Sequence, residues 1–331
     1  MSEIRMGWET WIRFGSQSAQ GTKATSWYTY DADDGDSLGM GEEPIDRNGI
    51  HGVRTKPEAS YRQGHYAPGG ALGAYPVNMG TDSKPLLLLF NNHFQNYSFG
   101  TGGGTAPNDY TFTPSSSQID TGSYQYLTFQ KDTGIAAGGE EYLDCITNEL
   151  SGNWAIDQQY YTITPTIQAL SGGTEITISG NGTGLTDGFY DTSTISFTWN
   201  GTTVYPTAFS WTGRNNMPDG KAASVRGRKH AVLGDYTGEA SISIARYSAM
   251  DEHWLDEFGG GTCGTFVMSG TLSTDYGTLL GGDPVHFDHT FYLSVNPMTV
   301  PTGAGEMIDT VNFTLLDHSL AIQSDLDDGE I

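Results

Sequence analysis

Strict alternation of apolar and polar side chains constrains this chain more than any other feature. In "TISFTWN", Ile195, Phe197 and Trp199 fall on one face and Ser196 and Thr198 on the other. A repeat of two is the signature of a strand with one face buried and one wet. The pattern recurs in "EITIS" (Ile176, Ile178), "SISIA" (Ile242, Ile244), "FYLSV" (Phe291, Leu293, Val295) and "VNFTL" (Val311, Phe313, Leu315). Asn200-Gly201, between "ISFTW" and "TTVY", predicts a two-residue hairpin, because a type I′ turn needs positive φ at both central positions. With 45 Gly in 331 residues and frequent Thr, Ser and Tyr, the composition also favours short strands and tight turns. The expected fold class is mainly β.

Two stretches read as helical. "DSKPLLLLFNN" offers Asp82 or Ser83 as a cap and Pro85 for the first turn, where a missing N–H costs nothing. "SAMDEHWLDEFGG" carries acids early and Gly259-Gly260 as a stop. The two helices fall at equivalent points of a repeat. Setting Val53-Arg54 of "VRTKPEASYRQGHY" on Val225-Arg226 of "VRGRKHAVLGDY" brings Gly64-His65-Tyr66 near Gly234-Asp235-Tyr236, and a two-residue gap then pairs Leu87 with Leu255 and Phe90 with Phe258. A duplicated unit of this size fits the length, which exceeds one ordinary core. The expected domains are 1–175 and 176–331, with the junction in the Gly-rich stretch from Ser171 to Thr186.

The formal charge is −24, from 39 Asp and Glu against 15 Lys and Arg. Sequence-independent nucleic-acid affinity needs clustered cations, so the charge argues against a general nucleic-acid binder. The acidity suits either a high-salt habitat or a local purpose. The few cations concentrate at Arg47, Arg54, Lys56 and Arg62 and again at Arg214, Lys221, Arg226, Arg228 and Lys229. Acids concentrate in a polar loop from Tyr28 to Asn48, at Asp31, Asp33, Asp34, Asp36, Glu42, Glu43 and Asp46. "FGTGGGTAPND" reads as a second surface loop. Cys145 and Cys263 show no metal or redox spacing and read as two free thiols in strands, with a single disulfide between them as the alternative. The start, "MSEIRMGWETWIRFG", has no apolar stretch of the kind an export signal needs, and "PLLLLF" is too short to span a bilayer. No membrane insertion is expected.

Each chemical motif gives way to a plainer explanation. "DEHWLDE" reads as the wet face of a short helix with Trp254, Leu255 and Phe258 inward. "HFDH" puts His286 and Asp288 on one strand face and His289 on the other, so the three do not share an ion. "GTGGGT" lacks the Lys-Ser/Thr of a phosphate loop, and no serine sits in a G-x-S-x-G elbow. Tyr28, Tyr30, Tyr61 and Tyr66 are candidates for stacking on sugars, with packing as the default. No enzyme, cofactor or metal site is expected.

The run Gly52, Val53-Arg54, Pro57, Tyr61, Gly64, Tyr66, Gly69-Gly70, "PLLLLFNN", "YTFTPS" and "YLTFQKD" resembles the major tail tube proteins of long-tailed viruses. "AFSWTGRNN", "DYTGEASISI" and "VPTGAGEMIDTVNFTLLD" look like a second unit of that kind, though one without clear counterparts of the Tyr28 to Asn48 loop and of "YTFTP". The resemblance implies two tandem tail-tube-type β-sandwich or barrel domains, each with a short flanking α-helix. It also implies a virion tail protein, assembled in the host cytoplasm, that forms stacked rings around the path of genome ejection. Expected partners are copies of itself, other tail proteins such as tape measure and terminator, and DNA passing without specific binding. A duplicated unit favours a homotrimeric, pseudo-hexameric ring over a hexamer. With about four strands from each of six domains, ~24 strands spaced ~4.8 Å and tilted ~40° close a barrel roughly 48 Å across, wide enough for a duplex. The interface residues expected are Arg54, Lys56, Arg226, Arg228 and Lys229, meeting carboxylates such as Asp31, Asp33, Asp34, Asp36, Glu42 and Glu43 of a neighbour, or else pairing within each domain. The alternative is a carbohydrate- or receptor-binding virion protein, or a capsid decoration protein.

Overall fold

The computed structural model describes residues 11–30, 36–46, 61–77, 83–104, 107–116, 124–135, 138–178 except 159, 180, 183, 190–218 except 192, 228, 232–245, 263–272, 279, 282, 284–295 and 308–331 except 329. The chain runs β1 (Ile12–Ser16), β2 (Tyr28–Tyr30), β3 (Glu42–Asp46), β4 (Tyr61–Tyr66), β5 (Gly69–Ala71), β6 (Tyr75–Pro76), α1 (Lys84–Phe94), β7 (Tyr97–Gly100), β8 (Asn108–Phe112), β9 (Leu127–Ile135), β10 (Gly138–Ala155) and β11 (Thr162–Ile176). It continues with β12 (Ile195–Trp199), β13 (Thr202–Val204), β14 (Pro206–Arg214), β15 (Thr237–Ala245), β16 (Cys263–Thr271), β17 (His286–Val295) and β18 (Ile308–Ser324). The fold is mainly β and its strand pairings are antiparallel.

The two longest strands, β10 and β18, are trunks that fork. β11 follows one edge of β10, while the other edge pairs with β9 as far as Cys145 and with β14 from Glu149 onward. β18 repeats the plan, with β17 on one edge and β15, then β8, on the other. Each fork sits at a register break. In β10 the pairing shifts around Asp144, whose φ is 54°, and in β18 it slips between Leu315 and Asp317. An extra residue bends its strand and releases the partner, so each trunk can hand one edge to two neighbours. β14 and β15 join the trunks, β9 leads through β1 to β2, and β17 leads through β16 to β12 and β13.

The alternation acts as expected. Ile195, Phe197, Trp199, Ile242, Ile244, Phe291, Leu293, Val311, Phe313 and Leu315 are all buried. Phe209 of β14 meets Phe266 of β16 at 4.7 Å and Phe291 of β17 at 5.0 Å between ring centroids, so the second half curls its apolar face over the joining strands. Asn200 and Gly201 take φ of 48° and 81° and close the β12–β13 hairpin. α1 begins with Pro85 in its first turn and ends where Gln95 turns left-handed at φ 56°. Ser83 caps by position only, since its hydroxyl donates to Ser324 Oγ at 2.8 Å. Every residue from Pro85 to Phe94 is buried, because the helix is wedged among β1, β8 and β10.

Three expectations change. The stretch from Ser171 does not open as turns: β11 continues to Ile176. Gly172 is there because a Cβ would come within 2.3 Å of the Tyr142 ring, and Gly173 lies against Met40 with φ +68°. Strand pairing also crosses residue 175, with β10 on β14 and β8 on β18. The acidic loop is partly built into strands. Tyr28–Tyr30 pairs with β1 and Glu42–Asp46 with β4, while Ser37 N–H donates to Ala71 O at 2.8 Å. Finally, the aligned Gly-x-Tyr triplets differ: Gly64 to Tyr66 lies in β4, whereas Gly234 to Tyr236 is coil leading into β15. The helix expected from Ser248 to Gly260 lies outside the described residues.

Candidate functional site

The joining strands carry two contrasting faces. On the outward face, cross-strand register lines up Thr162, Asn153, Ser210, Ser241 and Asn312 in one row. The next row is Thr164, Ser151, Thr212, Glu239, Thr314 and Ser294. These residues are exposed or half-exposed, and the rows pass from first-half strands to second-half strands without a break. A shallow groove of about 340 Å³ runs along them between β14, β15 and β18. At one end Arg214 bridges Glu149 at 2.7 Å and Glu239 at 2.9 Å, which neutralises its charge locally. Short hydroxyl and amide side chains hydrogen-bond water readily and hold no rigid array of cations. Such a face has little means of gripping a phosphate backbone.

The opposite face of the same strands is aromatic and encloses a hydrogen-bonded chain of imidazoles. Trp211 lies under Gly152, where any Cβ would sit 2.1 Å from the indole nitrogen, and its Nε1–H donates to Tyr161 Oη at 2.8 Å. Beside it, His289 of β17 and His318 of β18 are in contact, Nε2 to Nδ1, at 2.9 Å. His318 Nε2 meets Tyr236 Oη in a short hydrogen bond, and Tyr236 Oη lies 3.2 Å from His93 Nε2 on α1. His93 Nδ1 closes the series on the carbonyl of Thr147 at 3.2 Å. Asn215 Nδ2 braces this end by donating to the carbonyls of His93 and Thr147. Burial pushes His93 down to about 4, only partly offset by its bond to Thr147. His289 and His318 are held well below the usual histidine range by burial and by neighbouring imidazoles. Burial raises the Tyr236 hydroxyl, with nearby Asp317 adding to the effect.

His318 faces inward only because of the break in β18. Val311, Phe313 and Leu315 are buried on odd numbers, Leu316 and Asp317 are both exposed, and His318, Leu320 and Ile322 are buried on even numbers. Sequence reasoning separated His289 from His286 and Asp288 correctly: His286 Nε2 pairs with Asp288 at 3.2 Å on the outer side while His289 is buried. It missed His93, Tyr236 and His318. The odd spacing from Leu315 to Leu320 was the available signal for the bulge. Among the described residues no group of three or more His, Cys, Asp or Glu is arranged to hold a metal ion.

The residues expected at subunit contacts fare unevenly. Arg54, Lys56, Arg226, Lys229, Asp31, Asp33 and Asp34 lie outside the described residues. Glu42 and Glu43 sit in β3. Asp36 is engaged within the chain, accepting from Lys131 Nζ at 2.7 Å and from the N–H of Leu38. Arg228 reaches across to the first half, donating to the carbonyls of Pro68 at 2.6 Å and Ala169 at 3.1 Å, with the Gln168 amide oxygen beside it. Tyr30 is buried, with its hydroxyl on the carbonyl of Gly73, and so offers no stacking platform, while Tyr28 is half-buried against the core. Cys145 is buried in β10 and Cys263 exposed in β16, both as free thiols.

Comparison with protein-family models gave no match, and comparison with curated protein sequences gave no relative. The fold class is that of a mainly-β protein with one helix among its described residues.

Proposed function

We propose that this chain is a structural virion protein that polymerises into stacked rings, forming a tail tube through which viral DNA leaves. In this reading residues 1–175 and 176–331 are two tube-type units, and three copies close a pseudo-hexameric ring. The observation that carries it is the pair of hydroxyl and amide rows that cross from the first half to the second. A wall made from copies of such a face would let a polyanion pass without holding it, the inverse of the usual binding design. The strongly acidic composition supports the same reading, because it repels phosphate throughout. The forked trunks lend a second support: each half builds a long strand with one continuous partner and one divided edge, as a duplicated unit would.

Ring contacts in this proposal use charge for register. Arg54, Lys56, Arg226 and Lys229 meet the acidic Asp31, Asp33 and Asp34 segment or the Glu42–Asp46 strand of a neighbour, since complementary charge fixes orientation and rejects wrong partners. Tape measure and terminator proteins would cap and fill the tube. Electron microscopy of the purified protein in dilute and molar salt tests the reading directly. Stacked rings with a central hole are expected, three-fold in projection. Monomers in every salt, together with sugar affinity by calorimetry, would replace it with a carbohydrate-binding virion protein.

A further inference from the structure

The imidazole chain has only one arrangement of protons that leaves every ring neutral and every contact made. The carbonyl of Thr147 accepts only, so His93 must carry its proton on Nδ1 and present a bare Nε2. The hydroxyl of Tyr236 is the donor at that nitrogen. Having given its proton to His93, Tyr236 Oη must accept from Nε2–H of His318. His318 is then bare at Nδ1 and accepts from Nε2–H of His289. Four side chains from α1, the approach to β15, β17 and β18 thus donate in a single direction, toward Thr147. Both ends are enclosed: His93, His289 and His318 are each at most 1 % exposed.

A second proton on His93 or His318 breaks the order, whereas one on Nδ1 of His289 leaves it intact. If His93 becomes doubly protonated, its Nε2–H turns on Tyr236, whose hydroxyl must swing to His318. His318 must then exchange its Nε2 proton for one on Nδ1, and His289 must give up Nε2–H. Every link between side chains reverses, and only the bond from His93 Nδ1–H to the Thr147 carbonyl keeps its direction. Among the described residues the added charge has no buried carboxylate to meet: the titratable groups around it are Tyr236, Tyr161 through Trp211, Asp317, which is exposed on the far side of β18, and Asp235, which is exposed in the cleft beside Tyr236. A charge enclosed by aromatic rings without a partner is expensive, so the structure opens instead.

We propose that His93, Tyr236, His318 and His289 form a proton-operated latch that ties α1 of the first half to the strands of the second and releases it on acidification. The latch joins elements far apart in sequence, and Tyr236, half-exposed, lines a cleft of about 800 Å³ with Ser115, Ser116, Asn215 and Leu233, so the chain touches water at its centre while its three imidazoles are enclosed. The inference stands whether or not the chain builds a tube.

Nitrogen NMR of the intact protein labelled in its histidines tests it without any substitution. At pH 7.5 the expected result is a proton on Nδ1 of His93 and on Nε2 of both His318 and His289, with all three rings still neutral at pH 5.5, and His93→Gln and His318→Gln supply the assignments. Amide exchange, corrected for its intrinsic pH dependence, should show α1 losing protection on the order of tenfold between pH 7.5 and 5 while β14 and β15 keep theirs. The opposite tautomer at His93 or His318, or rings that titrate near 6.5, would overturn the chain. Loss of α1 protection only together with the strands would overturn the latch and leave a structural network.

Discussion

The two faces of β14, β15 and β18 belong to the same residues in alternation, yet they obey different rules. Outward, Ser210, Ser241 and Asn312 are interchangeable short polar groups whose hydrogen bonds are completed by water. Inward, Trp211, His318 and Tyr236 each have a specified partner: Tyr161 for the indole, Tyr236 and His289 for the imidazole, two histidines for the hydroxyl. Water tolerates error on one face, and close packing forbids it on the other. The contrast teaches that the same β-pattern can hold a surface designed for indifference and an interior designed for one proton arrangement.

Breaking the contrast at its origin should have the largest effect. Deleting Ser319, just beyond the bulge, sets Leu320 and Ile322 outward if the bulge is kept, and turns Asp317 inward and His318 outward if it is not; loss of the cooperative thermal transition is expected by circular dichroism. Trp211→Ala leaves a cavity under Gly152 and should cost about 3–5 kcal/mol in urea unfolding, whereas Ser210→Ala, one residue away, should stay within about 0.5 kcal/mol.

Acid comes next. The folded value of His93 is about 4, below its unfolded value, so the folded state binds fewer protons than the unfolded one between those values. Stability is full above pH ~6.5 and falls as pH drops toward 4, by about 3 kcal/mol for this residue. His318 and His289 add loss of the same sign. His286, raised by its hydrogen bond to Asp288, works in the opposite direction. Denaturant midpoints should hold from pH 7.5 to about 6.5 and fall from there to pH 4, and a flat profile would remove the buried neutral histidines from the account.

Tyr236→Phe interrupts the imidazole chain at its centre, leaving His318 Nε2 and His93 Nε2 without that partner. A loss of about 1–3 kcal/mol is expected at neutral pH by calorimetry. Smallest of all, Arg214→Met on the outer face removes two half-exposed ion pairs and should change stability by less than about 1 kcal/mol, fading in high salt. An outer-face substitution as costly as Trp211→Ala would mean that this surface is packed against something, and the comparison would have to be redrawn.

Much of the fold was legible because period two is a local signal. Ile195, Phe197 and Trp199, or Val311, Phe313 and Leu315, announce their face within a handful of residues, and Asn200-Gly201 announces its turn by the φ values it permits. The α1 boundary was legible in Pro85, although Ser83 spends its hydroxyl on Ser324 across the fold rather than on the helix. Gly172 and Gly173 misled, because glycine serves turns and close packing alike, and only Tyr142 and Met40 reveal which is meant. The acidic stretch misled for a similar reason: polar sequence describes a wet segment, and a strand pairing at its edge is wet as well.

The chain's own sequence determined that it is acidic, poor in cations, mainly β, and furnished with one apolar and one hydroxyl-rich face. Those properties follow from composition and from the spacing of neighbours along the backbone. Tertiary structure alone decided that residues 93, 236, 289 and 318 would meet, that Arg228 would close on Pro68 and Ala169, and that two long strands would fork to share one sheet. Such meetings depend on register, and the bulge at Leu316 and Asp317 moves the buried set beyond it from odd to even positions.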